Sequence, residues 1–191
     1  MGVRPEFYYA LELIGQACAR LAAKGQALPV LVGGAVVEWY TASAYMSGDF
    51  DLLIAVTEPM TDELLVLGFR HEDRPGWLRR GFYHPDFDFG VEFVSGQLFD
   101  GLADRTRIQT LRLSETSFIP MVPPEDIIAD RMGQYLADPQ HGGPLLAQAK
   151  RVFIILETSI NHDYINRRLH DETAGEISLD AFKRLIGNDR G

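Results

Sequence analysis

Two short apolar runs, and what joins them, constrain this chain more than any other feature. Leu28–Val32 ends on the pair Gly33-Gly34, and a second run, Gly48–Val56, begins with Asp49 and Asp51 two residues apart. A glycine pair after a buried strand permits a tight turn into a helix, because glycine adopts backbone angles closed to other residues. Ala35–Tyr45 follows as that helix, with Val36, Val37 and Tyr40 on its apolar side. On a strand, residues two apart face the same way, so Asp49 and Asp51 project together while Phe50 and Leu52 point opposite. Two like charges on one face of a largely apolar strand repel, at a cost that grows with desolvation, and a divalent cation removes that cost. Mg²⁺ suits the task, since it takes one or two carboxylates and completes its shell with water and substrate phosphates. The Gly33-Gly34 turn fits the same purpose from the other side. It brings backbone N–H groups and a helix N-terminus close to an anion. The plainer alternative, a turn with Asp49 as cap and Asp51 exposed, stays open at this point.

The remaining elements follow from periodicity and breakers. Phe7, Leu11, Ile14, Cys18 and Leu21 form one helical stripe that opens after Pro5 and closes at Gly25, which places Cys18 in the core. Asp62–Leu67 reads as a short helix. The aromatic, Gly- and Pro-rich stretch that follows reads as hairpin strands, the best of them Phe89–Val94 with Glu92 inside it. Its segment Trp77–His84 mixes Arg79 and Arg80 with aromatic residues, as an RNA-contacting hairpin or an ordinary exposed one would. One or two further strands lie within Thr106–Val122, and Pro123-Pro124 marks a boundary. Helices are expected over Glu125–Leu136, Leu145–Ile160, a shorter segment to His170, and from Ser178 as N-cap to Gly187. The fold class is therefore α/β (α+β): a mixed sheet flanked by helices over residues 1–122, followed by a C-terminal helical bundle over 123–191.

Charge and composition narrow the function. The 191 residues carry 27 acidic against 18 basic side chains, a net charge of −9, which argues against general DNA binding. The single cysteine excludes an internal disulfide and a cysteine-rich zinc site. The five histidines show no metal-ligand spacing. With no signal-peptide pattern and no apolar run of membrane-spanning length, the expected location is cytoplasmic, away from membranes.

Gly33-Gly34, then about a dozen residues, then Ser47-Gly48-Asp49-Phe50-Asp51 between apolar flanks resembles the signature of the polymerase-β-like nucleotidyltransferases. The resemblance covers about residues 28–135. It implies a Mg²⁺-dependent transfer of a nucleoside monophosphate from an NTP to a hydroxyl acceptor, with pyrophosphate released. It also implies a third metal-binding carboxylate on a neighbouring strand, for which Glu92 in Gly90–Val94 is favoured and Asp88 is the competitor. Asp49, Asp51 and Glu92 would be catalytic and hold the metal. Gly33, Gly34 and Ser47 would meet the nucleotide. The small size and the Gly-Gly resemble the minimal, antitoxin-type (abortive-infection-like) branch. Pro124-Glu125-Asp126 at the head of the helical half strengthens that likeness, with Arg131 as the basic residue a few positions on and Lys150-Arg151 as the nearest basic pair. Arg131 and Lys150 thereby join the nucleotide-binding set. A place in a toxin–antitoxin-type system follows as a further implication. Tyr45 and Met46 stand where relatives often carry an arginine, and this keeps a second hypothesis in view. The chain would then be a non-catalytic module of the same fold that holds a protein or RNA partner. Under the enzyme hypothesis, the resemblance leaves a small molecule, an RNA end or a protein as the expected acceptor.

Overall fold

A computed structural model of the chain describes residues 2–74 and 81–187. Trp77, Arg79 and Arg80, read above as part of a hairpin, lie outside the described residues. The chain divides into two compact units, Met1–Gln97 with Thr106–Val122, and Leu98–Arg105 with Pro123–Gly191.

The first unit is built on a seven-stranded mixed sheet. Its elements run α1 (Pro5–Ala23), β1 (Val30–Val32), α2 (Gly33–Tyr40), β2 (Asp49–Leu53), α3 (Glu58–Val66), β3 (Arg70–His71), β4 (Phe82–His84), β5 (Phe87–Val94), β6 (Gln109–Arg112) and β7 (Phe118–Met121). The strand order is β3-β4-β5-β2-β1-β7-β6. β2 is central, antiparallel to β1 and parallel to β5. β7 runs parallel to β1 on the other side.

Helix α1 supplies the core beneath the sheet. Its stripe of Phe7, Leu11, Ile14, Cys18 and Leu21 is fully buried, as its spacing predicts. Burial pushes the Cys18 thiol pKa up to about 12. Phe7 packs against Phe50 of β2 at 5.1 Å between ring centroids and against Phe89 of β5 at 6.1 Å. Phe50 and Phe89 themselves lie 5.3 Å apart. This aromatic trio fixes β2 and β5 from one face and leaves the opposite face to their polar residues.

Several boundaries differ from the sequence reading, each for a local reason. Helix α2 begins on Gly33 itself and stops at Tyr40, short of Tyr45. Thr41 at its C-cap donates its hydroxyl to the Val37 carbonyl at 2.7 Å, and Ala42 and Ser43 then take left-handed angles that no helix continues. Helix α3 starts earlier than expected, at Glu58, because Pro59 suits a first helical turn. β2 is shorter than the apolar run that contains it, and β5 is longer, taking in Phe87 and Asp88.

The second unit holds α4 (Pro124–Ala137), α5 (Gly143–Leu156), α6 (His162–Glu172) and α7 (Leu179–Gly187). α4 packs on α5 and α6, and α6 on α7. Helix α5 ends at Leu156 rather than Ile160. Asn161 caps the next helix by accepting from the Tyr164 N–H at 2.9 Å, so the chain must turn before it. Among the described residues no helix is long and apolar enough to cross a membrane.

Candidate functional site

Parallel pairing decides which side chains share a face. Asp51 pairs with Glu92, and Asp49 with Gly90, across β2 and β5. Directly paired residues in a sheet point the same way, so Asp49, Asp51 and Glu92 all project from the face opposite Phe50, Leu52, Phe89 and Val91, which are buried. Gly90 opposite Asp49 leaves room there, since it carries no side chain. Asp88 belongs to the same strand and alternates onto the same face, but it is highly exposed and ion-paired with Arg74 at 3.2 Å. Arg74 in turn binds Glu72, and that hydrogen bond holds the Glu72 carboxyl below its ordinary pKa.

Gly33 and Gly34 close the site from the α2 side. Gly33 has φ +71°, a conformation that L side chains rarely adopt. A β-carbon on it would collide with the Asp51 carboxylate, 3.0 Å from Cγ. A β-carbon on Gly34 would lie 2.7 Å from Ser47 Oγ. Both glycines are thus required by close approach, Gly33 to the second aspartate and Gly34 to the serine before the first. Val32 at the N-cap of α2 has no polar side chain to offer the first turn. Ser47 Oγ donates to the Asp49 carbonyl at 3.0 Å and approaches Asp49 Oδ1 at 3.3 Å, so its hydroxyl braces the start of β2.

The residue that sequence reasoning passed over is Glu38. It is fully buried on α2, four residues after Gly34. Its carboxylate accepts from Arg4 Nε at 2.6 Å, Arg4 Nη2 at 3.0 Å, Ser43 Oγ at 2.8 Å and the Ser47 N–H at 2.6 Å. Arg4 also donates from Nη2 to the Ser47 carbonyl at 2.6 Å, and its guanidinium lies 4.8 Å from the Phe89 ring centre. The Glu38 hydrogen bond pushes the Arg4 pKa above its ordinary value, against the effect of burial. A glutamate inside an otherwise apolar helix stripe was the available signal, since a buried carboxylate requires a partner.

Arg131 and Lys150 belong to the second unit, on α4 and α5. Arg131 is buried there, with Nη1 bonded to Asp130 Oδ2 and Gln134 Oε1, each at 3.0 Å. The neighbouring Glu125 and Asp126 have packing roles. Glu125 Oε1 accepts from the Asn161 N–H at 2.8 Å, and Asp126 Oδ1 accepts from Arg168 Nε at 2.6 Å and the Tyr164 hydroxyl at 2.8 Å.

The donor set can be weighed against Mg²⁺. Among the described residues no group of three or more His, Cys, Asp or Glu is placed to hold a metal ion, so Asp49, Asp51 and Glu92 are not a preformed three-carboxylate site. The carboxylate oxygens on this face, with that of Asp51 packed against Gly33, are hard donors of the kind Mg²⁺ takes, and the ion would need phosphate and water to complete its shell.

No protein-family model matches the sequence, and no curated protein matches it. Among solved structures, an antigenic nucleotidyltransferase-like protein from Paracoccidioides brasiliensis has the same architecture. It matches with a TM-score of 0.61 over 99% of this chain and 91% of that one, at 14% sequence identity. The likeness is one of fold: a mixed α+β chain of nucleotidyltransferase-like architecture.

Proposed function

We propose that this chain is a Mg²⁺-dependent nucleotidyltransferase that moves a nucleoside monophosphate from an NTP to a hydroxyl acceptor. One observation carries the reading: Asp49, Asp51 and the cross-strand Glu92 share a face that the Gly33-Gly34 turn closes. The acidic face would hold the metal, with Asp49 and Asp51 as its principal ligands and Glu92 as the third carboxylate. The turn would present the N–H groups that open α2 to a phosphate, and the bare Gly33 lets the Asp51 carboxylate stand against it. When bound, Mg²⁺ would neutralise phosphate charge and favour ionisation of the acceptor hydroxyl. In the overall transfer, the acceptor oxygen bonds to the α-phosphorus, the bond from that phosphorus to the bridging oxygen breaks, pyrophosphate leaves, and the hydroxyl proton is released. Ser47 serves the site by bracing Asp49, in addition to any contact with phosphate.

A second reading has its own support. Arg131, expected to meet the nucleotide, is buried and engaged with Asp130 and Gln134. That favours a non-catalytic module of the same fold, which holds a protein or RNA partner as an antitoxin-type protein would. One experiment separates the two. The purified protein is incubated with each α-labelled NTP, Mg²⁺ and cell extract, and products are resolved for labelled protein, RNA and small molecules. Label transfer that disappears in Asp51→Asn supports the enzyme. Nucleotide binding without transfer to any acceptor, together with a stable partner complex, supports the binding module.

A further inference from the structure

We propose that Arg4 and Glu38 form a positioning pair that sets Asp49 and Asp51 against the Gly33-Gly34 turn, and so governs metal affinity. The proposal rests on the metal-binding reading above. The segment between α2 and β2 has no regular structure, and it includes two non-glycine residues in the left-handed region, Ala42 at φ 50° and Ser43 at φ 62°. Ser47 Oγ braces the Asp49 carbonyl from within it, and the Gly90 N–H donates to the Gly48 carbonyl at 3.0 Å. The rest of the fixing comes from the ion pair of Arg4 with the fully buried Glu38. Glu38 takes the Ser47 N–H, and Arg4 takes the Ser47 carbonyl, so both polar groups of one residue are held two positions before Asp49. Ser43 is held in the same way. Its hydroxyl donates to Glu38 Oε1 and accepts from the Arg4 N–H at 2.9 Å.

Glu38 also belongs to the helix that Gly33 and Gly34 begin. One carboxylate therefore ties the glycine turn to the acidic strand. Arg4 turns its Nε and Nη2 onto Glu38 and Ser47. Its role is to neutralise a fully buried carboxylate. Groups that hydrogen-bond a metal's own ligands commonly change affinity by about 10- to 100-fold when replaced; Arg4 and Glu38 act one step further out, through the Ser47 backbone.

The test uses Mn²⁺ alone as probe, titrated into the full chain and read as free ion by electron paramagnetic resonance, beside a thermal melt of each variant. Arg4→Gln and Glu38→Gln are expected to weaken Mn²⁺ binding by about tenfold or more. Arg4→Lys, which keeps the charge but loses the planar fork, should fall between them and the parent. Glu63→Gln is the control. Glu63 is buried on α3 and ion-paired with Arg20 and Lys24, so its loss should lower the melting temperature without touching Mn²⁺ affinity. If Arg4→Gln behaves like Glu63→Gln, the pair is a structural ion pair only, and the proposal is overturned while the metal reading stands on Asp51→Asn. If Asp51→Asn binds Mn²⁺ as the parent does, or the parent binds none either alone or with an NTP added, the metal reading falls and takes the proposal with it. Should both glutamine variants fail to fold, Arg4→Lys decides: weakened Mn²⁺ affinity supports the positioning role, and parental affinity overturns it.

Discussion

Asp51 and Glu92 are directly paired across the parallel strands β2 and β5, and the pairing puts their side chains on one face of the sheet. Asp88 shares that strand but leans outward to Arg74. The two acidic residues of β5 therefore separate by function in a testable way. Glu92→Gln should reduce Mn²⁺ affinity and any Mg²⁺-dependent nucleotide binding by about tenfold or more, since a direct ligand matters at least as much as its supporting shell. Asp88→Asn should leave both unchanged within error. Calorimetry on the two variants decides; equal loss in both would assign the third carboxylate to neither in particular.

Gly33 makes the strongest steric demand at the site. An alanine there meets two penalties: a left-handed backbone at φ +71° and a β-carbon driven into the Asp51 carboxylate. Strain of this kind costs about 1–3 kcal/mol. Gly33→Ala should therefore lower stability by that amount in urea denaturation, and it should also weaken Mn²⁺ binding because Asp51 has to move. Gly25→Ala is the comparison. Gly25 has a similar angle, φ +66°, with open space around it, so it should show backbone strain with unaltered metal affinity.

How far the sequence alone discloses this site can be judged residue by residue. The i, i+2 spacing of Asp49 and Asp51 suffices for their shared face, because strand alternation is local. The same holds for the α1 stripe and for the general order of a mixed sheet followed by helices. That Glu92 joins the two aspartates depends on the pairing of β2 with β5, which alternation does not encode. Glu38 was marked only as a glutamate in an apolar helix stripe, and its partner Arg4 was not legible, because the contact spans 34 positions that no periodicity encodes. The early end of α2 was hidden for a related reason. Ala42 and Ser43 have no strong preference for left-handed angles, and the turn forms because Glu38 and Arg4 hold Ser43 and Ser47 in place. Pro124-Glu125-Asp126 shows the opposite failure. The motif was visible, but its carboxylates meet Asn161, Tyr164 and Arg168, residues that nothing in the sequence marks as partners.

Arg168 is fully buried in the helical unit, with Nε on Asp126 at 2.6 Å and Nη2 on Glu172 at 2.9 Å. Burial pushes the Asp126 carboxyl pKa up, opposed by the hydrogen bonds from Arg168 and Tyr164. Removing the arginine strands a buried carboxylate, which typically costs about 3–5 kcal/mol. Arg168→Met should therefore destabilise by roughly that amount. The double variant Arg168→Met with Asp126→Leu should recover a substantial part of the loss, because an apolar pair needs no hydration. Chemical denaturation of parent, single and double variants measures the coupling; a double variant no more stable than Arg168→Met would show that the geometry, not the unpaired charge, was the source.

Tyr164 provides the alkaline counterpart. Its hydroxyl donates to Asp126 Oδ1 at 2.8 Å and accepts from the Asp104 N–H at 3.1 Å. Burial, more than these contacts, raises its pKa from 10.0 to about 12. A phenol whose folded pKa exceeds its unfolded one binds its proton more tightly in the folded state. Its contribution is then complete below pH 10 and is lost as pH rises from 10 towards 12. Stability should therefore fall over that window in the parent. Tyr164→Phe keeps the ring and removes the proton. It should cost about 1 kcal/mol at neutral pH through the lost hydrogen bonds, yet show a shallower decline between pH 10 and 11.5. Urea midpoints measured at pH 8, 10, 11 and 11.5 test both signs at once, and parallel curves for the two proteins would remove Tyr164 as the source of the alkaline loss.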